Sequence, residues 1–117
     1  MLSQEELISL QKKLSNNEMI IIKFTADWCV PCKSIKGLVD KYVNILPEKI
    51  QYYEIDIDES LELYMKFKKS KMVTGIPAIL AFKAGKKDYW YIPDDSALGS
   101  NKETVNNFFI RCINYSK

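Results

Sequence analysis

Residues Met19-Ile20-Ile21-Ile22-Lys23-Phe24-Thr25-Ala26 form an almost unbroken apolar run that leads the chain directly into Trp28-Cys29-Val30-Pro31-Cys32-Lys33. This junction constrains the fold more than any other stretch. A short, apolar, β-branched run reads as a strand covered on both faces, and so as a central one. Beyond the cysteines, Ile35, Leu38, Val39, Tyr42 and Leu46 fall on one side of a helix running from Val30 to about Leu46. The cysteine pair therefore occupies the first helical turn. A helix N-terminus leaves backbone N–H groups unpaired and carries partial positive charge, which favours a thiolate on Cys29. Cys32 lies one turn on, within reach of a mixed disulfide formed at Cys29. Pro31 suits the first turn, because its missing N–H costs nothing there and its fixed φ stiffens the loop.

Cys-x-x-Cys is also half of a structural zinc site, which needs four Cys or His ligands. The chain has no histidine and one further cysteine, Cys112. The redox reading is therefore preferred, and no metal is expected. Cys112 shares a helical face with Val105, Phe108 and Phe109, so it is expected to be a packed core thiol.

At these residues the chain resembles the thioredoxin family. Phe24-Thr25-Ala26-Asp27-Trp28-Cys29-Val30-Pro31-Cys32-Lys33 is similar to that family's active-site segment. Thr74-Gly75-Ile76-Pro77-Ala78-Ile79-Leu80-Ala81-Phe82 resembles its cis-proline strand, and Lys83-Ala84-Gly85-Lys86 the hairpin turn that follows. The resemblance implies a central mixed sheet of about four strands flanked by helices, an α/β thioredoxin fold. It makes Cys29 the attacking thiol and Cys32 the resolving one, which agrees with the place of Cys29 at the helix start. It also implies a cis Ile76–Pro77 bond opposite the dithiol, with the backbone of Ile76 free to pair with a substrate strand. Trp28 and Val30 would form an apolar rim for an extended or unfolded partner.

Four departures from the family's pattern stand out. The first helix, from about Gln4 to Leu14, has Ser3 and Glu6 placed as a capping box and leaves no residues for the usual preceding strand. The strand Ile50–Ile57 should then lie at a sheet border, with Tyr53, Ile55 and Ile57 on one face. Gly37 stands where the family commonly has a kinking proline, so a bend is expected there. Lys23 occupies the position of a buried acid that assists the resolving cysteine, and Glu54 stands where many members carry lysine. The two are expected to meet beneath the dithiol as a buried, reversed ion pair; the alternative is that Lys23 snorkels past its neighbours to solvent.

The remaining elements follow from pattern. A helix from about Leu61 to Lys69 carries a stripe of Leu61, Tyr64, Met65 and Lys68, and its basic end reads as a solvated C-terminus. Ile76–Lys83 and Lys87–Ile92 read as a hairpin turning at Ala84-Gly85. Pro93–Asn101 reads as a turn-rich loop, and a last helix spans about Lys102 to Asn114.

Length and composition limit the functional classes. The 117 residues fit a single domain, 1–117. Seventeen basic and 15 acidic residues give a net charge of +2, too balanced to argue for nucleic acid. No apolar run is long enough for a membrane span. The N-terminus lacks the pattern of a secretory signal, so a reducing, cytoplasmic setting is expected. The reading is a protein-disulfide reductase that needs no cofactor beyond its dithiol. Its partners would be disulfide-containing proteins and a recycling reductase or small thiol, and it would be a monomer or weak dimer. The alternative is a redox-linked module that holds or senses one partner. Catalytic candidates are Cys29, Cys32, Lys23 and Glu54; substrate-contact candidates are Trp28, Val30, Pro31, Ile76 and Pro77.

Overall fold

The computed structural model describes residues 2–85 and 87–117. The elements in order are α1 (Gln4–Lys12), β1 (Met19–Thr25), α2 (Val30–Val43), β2 (Ile50–Asp56), α3 (Leu61–Lys69), β3 (Ala78–Lys83), β4 (Asp95–Leu98) and α4 (Lys102–Ser116). The strands form one four-stranded sheet in the order β2-β1-β3-β4. β1 pairs with β2 in parallel and with β3 antiparallel, and β3 pairs antiparallel with β4, so the sheet is mixed. Among the described residues no helix is long and apolar enough to cross a membrane.

Strand alternation sorts the core into two layers. Ile20, Ile22 and Phe24 of β1 join Leu80 and Phe82 of β3 under α1 and α3, through Leu7, Leu63, Tyr64 and Phe67. Met19 and Ile21 join Ile79, Ala81 and Ala97 under α2 and α4, through Ile35, Val39, Val105, Phe108, Phe109 and Cys112. Because both faces are covered, β1 is buried along almost its whole length. Tyr42 stacks on Phe109 at 5.0 Å and donates its hydroxyl to Asn106, tying α2 to α4.

The Ser3–Glu6 capping box forms: Glu6 N–H donates to Ser3 Oγ at 3.1 Å, and Ser3 N–H donates to Glu6 Oε1 at 3.1 Å. Among the described residues β2 is paired on one side only, by β1, and so lies at a sheet border. Ile55 of β2 and Ile57 just beyond it are buried on the α1/α3 side, with Tyr53 packed against that cluster.

Several expectations are corrected. Residues 87–92 are not a strand. Trp90 instead turns inward, 5.8 Å from Phe67, and Gln11 Nε2 donates to its carbonyl at 3.0 Å. The partner of β3 is β4, drawn from the stretch expected to be a loop; Lys86, in the expected turn, lies outside the described residues. The buried face of α3 is Leu63, Tyr64 and Phe67, while Leu61 stays exposed, because Phe67 fills the space between Phe24 and Phe82. α2 is one helix through Gly37, since glycine keeps the N–H that proline lacks and so permits a bend without imposing one. α1 and α2 stop at Lys12 and Val43, earlier than the apolar spacing suggested, and α4 runs further, to Ser116.

Candidate active site

β1 and β2 are parallel, so both deliver their following loops to the same edge of the sheet. β1 ends at Thr25, and Asp27-Trp28-Cys29 turns the chain into α2. Cys29 is the N-cap of that helix, with extended backbone and with Pro31 in the first turn. Cys32 N–H donates to Cys29 Sγ at 3.2 Å, so one orphan donor of the helix is spent on this sulfur. Cys29 and Cys32 are joined as a disulfide, with Cα atoms 5.3 Å apart.

The two sulfurs sit in an asymmetric setting. Both cysteines are buried, whereas Trp28 and Val30 are 61% and 73% exposed on either side of Cys29. Pro31 is exposed as well. Trp28 Nε1 donates to Asp58 Oδ2 at 2.8 Å, which fixes the indole while leaving its face open. Sequence pattern marks Asp58 only as a turn residue. The one signal that could have found it is its place after β2, at the edge that also receives the end of β1. Opposite the cysteines, the Ile76–Pro77 bond is cis. The Ile76 carbonyl oxygen lies 3.9 Å from Cys29 Sγ. Pro77 is buried, and Gly99 N–H, just beyond β4, donates to its carbonyl at 2.9 Å and anchors this turn.

Lys23 and Glu54 are register partners across β1 and β2. Lys23 Nζ lies 3.2 Å from Glu54 Oε1. The pair is not buried as a unit: the lysine side chain is 1% exposed and the glutamate 46%. The border position of β2 explains this, since Glu54 has solvent beyond it. Lys23, Glu54 and Cys32 line one pocket of about 220 Å³, together with Asp27, Lys33 and Lys36. The structure thus brings Lys23, Glu54, Cys29, Cys32, Ile76 and Pro77 to one end of the sheet, with Trp28, Val30 and Pro31 on the adjoining surface.

The Thioredoxin family model matches residues 3–108. The chain belongs to the thioredoxin family. Protein disulfide-isomerase 1 of Caenorhabditis elegans is 36% identical over 81 residues, which cover 67% of this chain and 16% of that protein. Thioredoxin-1 of Saccharomyces cerevisiae is 31% identical over 74 residues, covering 63% of this chain and 67% of that one. The matched segment is thus a small part of the first relative and about two thirds of the second. Among solved structures, Plasmodium falciparum thioredoxin superposes with a TM-score of 0.66 at 25% identity, covering 95% of both chains. The oxidized mitochondrial thioredoxin 3 of Saccharomyces cerevisiae gives a TM-score of 0.70 at 23% identity, over 95% of this chain and 92% of that one, and shows the shared fold. Family membership and a Cys-x-x-Cys pair at bonding distance together support thiol–disulfide oxidoreductase chemistry for this thioredoxin-family protein.

Proposed function

We propose that this protein reduces disulfides in other proteins through the Cys29/Cys32 dithiol. The observation that carries the reading is the Cys32 N–H donating to Cys29 Sγ at the N-cap of α2. In the dithiol state that donor and the helix N-terminus favour the Cys29 thiolate over the thiol. The thiolate attacks one sulfur of a substrate disulfide; the substrate S–S bond breaks, and its other sulfur leaves with the electron pair and takes up a proton. Cys32, as thiolate, then attacks Cys29 Sγ in the mixed disulfide. The second substrate sulfur leaves and is protonated, and Cys29–Cys32 is left oxidised. A reductase or a small thiol returns it to the dithiol.

The exposed Trp28, Val30 and Pro31 and the Ile76–Pro77 turn bracket the Cys29 sulfur and receive an extended substrate segment. The protein works in a reducing, cytoplasmic setting, as a monomer or as a weak dimer through the open border of β2. The test is a trapping experiment on a disulfide-containing protein substrate. Cys32→Ser is expected to accumulate a mixed disulfide at Cys29, and Cys29→Ser to accumulate none. Equal trapping by both variants, or no reduction by the unaltered protein, would overturn the assignment.

A further inference from the structure

Among the described residues, Lys23 is the one ionisable side chain in the pocket beside Cys32 that is itself buried, at 1% exposure. We infer that Lys23 is a positioning residue for the resolving step: its ammonium, held by Glu54 in the pocket it shares with Cys32, selectively stabilises the Cys32 thiolate. The inference rests on the disulfide-exchange reading above and specifies what drives its second half.

The charges around the pocket determine the sign. From the β1–α2 turn comes Asp27, and from α2 come Lys33 and Lys36; all three are exposed. Lys36 is neutralised in place by Asp40 at 2.9 Å. From β2 come Glu54 and, on the same face of that strand, Tyr52, whose phenol burial holds well above its usual range and therefore neutral. Fields from exposed groups are screened by water, while a buried charge acts through a medium of lower effective permittivity. Glu54 is the nearest opposing charge, yet it is half-exposed and one of its oxygens is engaged by Lys23. Of the two, Lys23 is the buried and therefore less screened member, so its charge acts most strongly within the pocket and favours a thiolate at Cys32. A cation cannot accept the Cys32 proton, so that proton leaves to solvent through the pocket, which is roomy enough for water. The resulting thiolate forms a bond to Cys29 Sγ, the bond from Cys29 Sγ to the substrate sulfur breaks, and that sulfur departs with the electron pair.

The experiment titrates Cys32 without any turnover. In a Cys29→Ser background with isotope-labelled cysteine, the Cys32 Cβ chemical shift is followed against pH by NMR, with Cys112 resolved separately. Lys23→Met is expected to raise the Cys32 midpoint by about one pKa unit, an approximately tenfold loss of thiolate below the midpoint. Lys23→Arg is expected to keep the midpoint near that of the parent. Glu54→Gln removes the opposing charge and is expected to lower the midpoint, a movement opposite to that of Lys23→Met. A purely structural pair would shift both variants in the same direction or neither. An unchanged midpoint in Lys23→Met, a Lys23→Arg midpoint equal to that of Lys23→Met, or a raised midpoint in Glu54→Gln would overturn the inference. Glu54 faces solvent, so its variant tests the inference even if substitutions at Lys23 prevent folding. The titration uses no substrate, so a failure of protein-disulfide reduction leaves its outcome intact.

Discussion

Replacing each partner of the Lys23–Glu54 pair in turn should have unequal effects on stability, because the two ends of the pair are solvated so differently. Glu54→Ala leaves a lysine that is 1% exposed without the carboxylate 3.2 Å from its Nζ. Breaking a fully buried pair costs about 3–5 kcal/mol, since a lone charge remains inside. Here water already reaches the glutamate side, so the cost should fall to about 1–3 kcal/mol, the usual range for a stranded polar group. Lys23→Met removes the buried ammonium but keeps an unbranched stem of similar length against β1's neighbours. It leaves Glu54 on the exposed side of the border strand, where hydration replaces its partner. The expected outcome is neutral to about 2 kcal/mol more stable than the parent, as for other buried charges exchanged for apolar side chains. The assay is urea unfolding of the oxidised protein. With a slope of about 1–3 kcal/mol per molar, Glu54→Ala should lower the midpoint by about 1 M. The double variant should behave like Lys23→Met alone, because the penalty for losing Glu54 exists only while Lys23 is charged. Equal losses for the two single variants that add in the double variant would refute the reasoning.

Three further outcomes follow from the same structure. Phe67 is fully buried, with ring centroids 5.6 Å from Phe24, 6.0 Å from Phe82 and 5.8 Å from Trp90, so Phe67→Ala should cost about 3–5 kcal/mol in urea unfolding. Asp95 accepts from Arg111 Nε at 2.8 Å and Nη2 at 3.0 Å; burial raises its pKa, but these bonds and the Ser96 N–H outweigh it and hold the carboxyl below its ordinary value. A lowered folded-state pKa contributes stability that is complete above the ordinary carboxylate value of about 3.9 and lost as pH falls below it. Asp95→Asn should therefore flatten the acid limb of the stability profile, which urea midpoints at a series of pH values would record. Burial pushes the Cys112 thiol up to about 12, so alkylation near neutral pH should modify it only after denaturant is added, as read by mass spectrometry of its peptide.

The parts of the fold legible in the sequence are those where one periodicity is strong and burial enforces it. The Met19–Phe24 run and the Val105, Phe108, Phe109, Cys112 stripe could face only the core, and both do. The placing of Lys23 beside Glu54 was implied by the family resemblance, which puts both positions on neighbouring strands, and the observed register pairs the two residues. β4 was not readable. Asp95-Ser96-Ala97-Leu98 contains turn formers and no β-branched residue, and its strand character comes from pairing with β3. The converse holds at Lys87–Ile92. Tyrosine, tryptophan and isoleucine suggest a strand because such residues fit half-buried pleated surfaces. Trp90 meets that requirement against Phe67 of α3, without any ladder.

The two sulfurs of the site are controlled by different parts of the molecule. The Cys29 sulfur is addressed by the backbone, through the Cys32 N–H and the start of α2. Any sequence that folds with a cysteine at that cap inherits this control, so side-chain changes at a distance should leave it nearly untouched. Cys32 lines a pocket whose charge is written in side chains, chiefly the buried Lys23 and the half-exposed Glu54. That arrangement can be inverted or neutralised by single substitutions without altering the helix start. Attack on substrate and release of product are therefore separable: substitutions at Lys23 or Glu54 should change how fast a mixed disulfide resolves far more than how fast it forms.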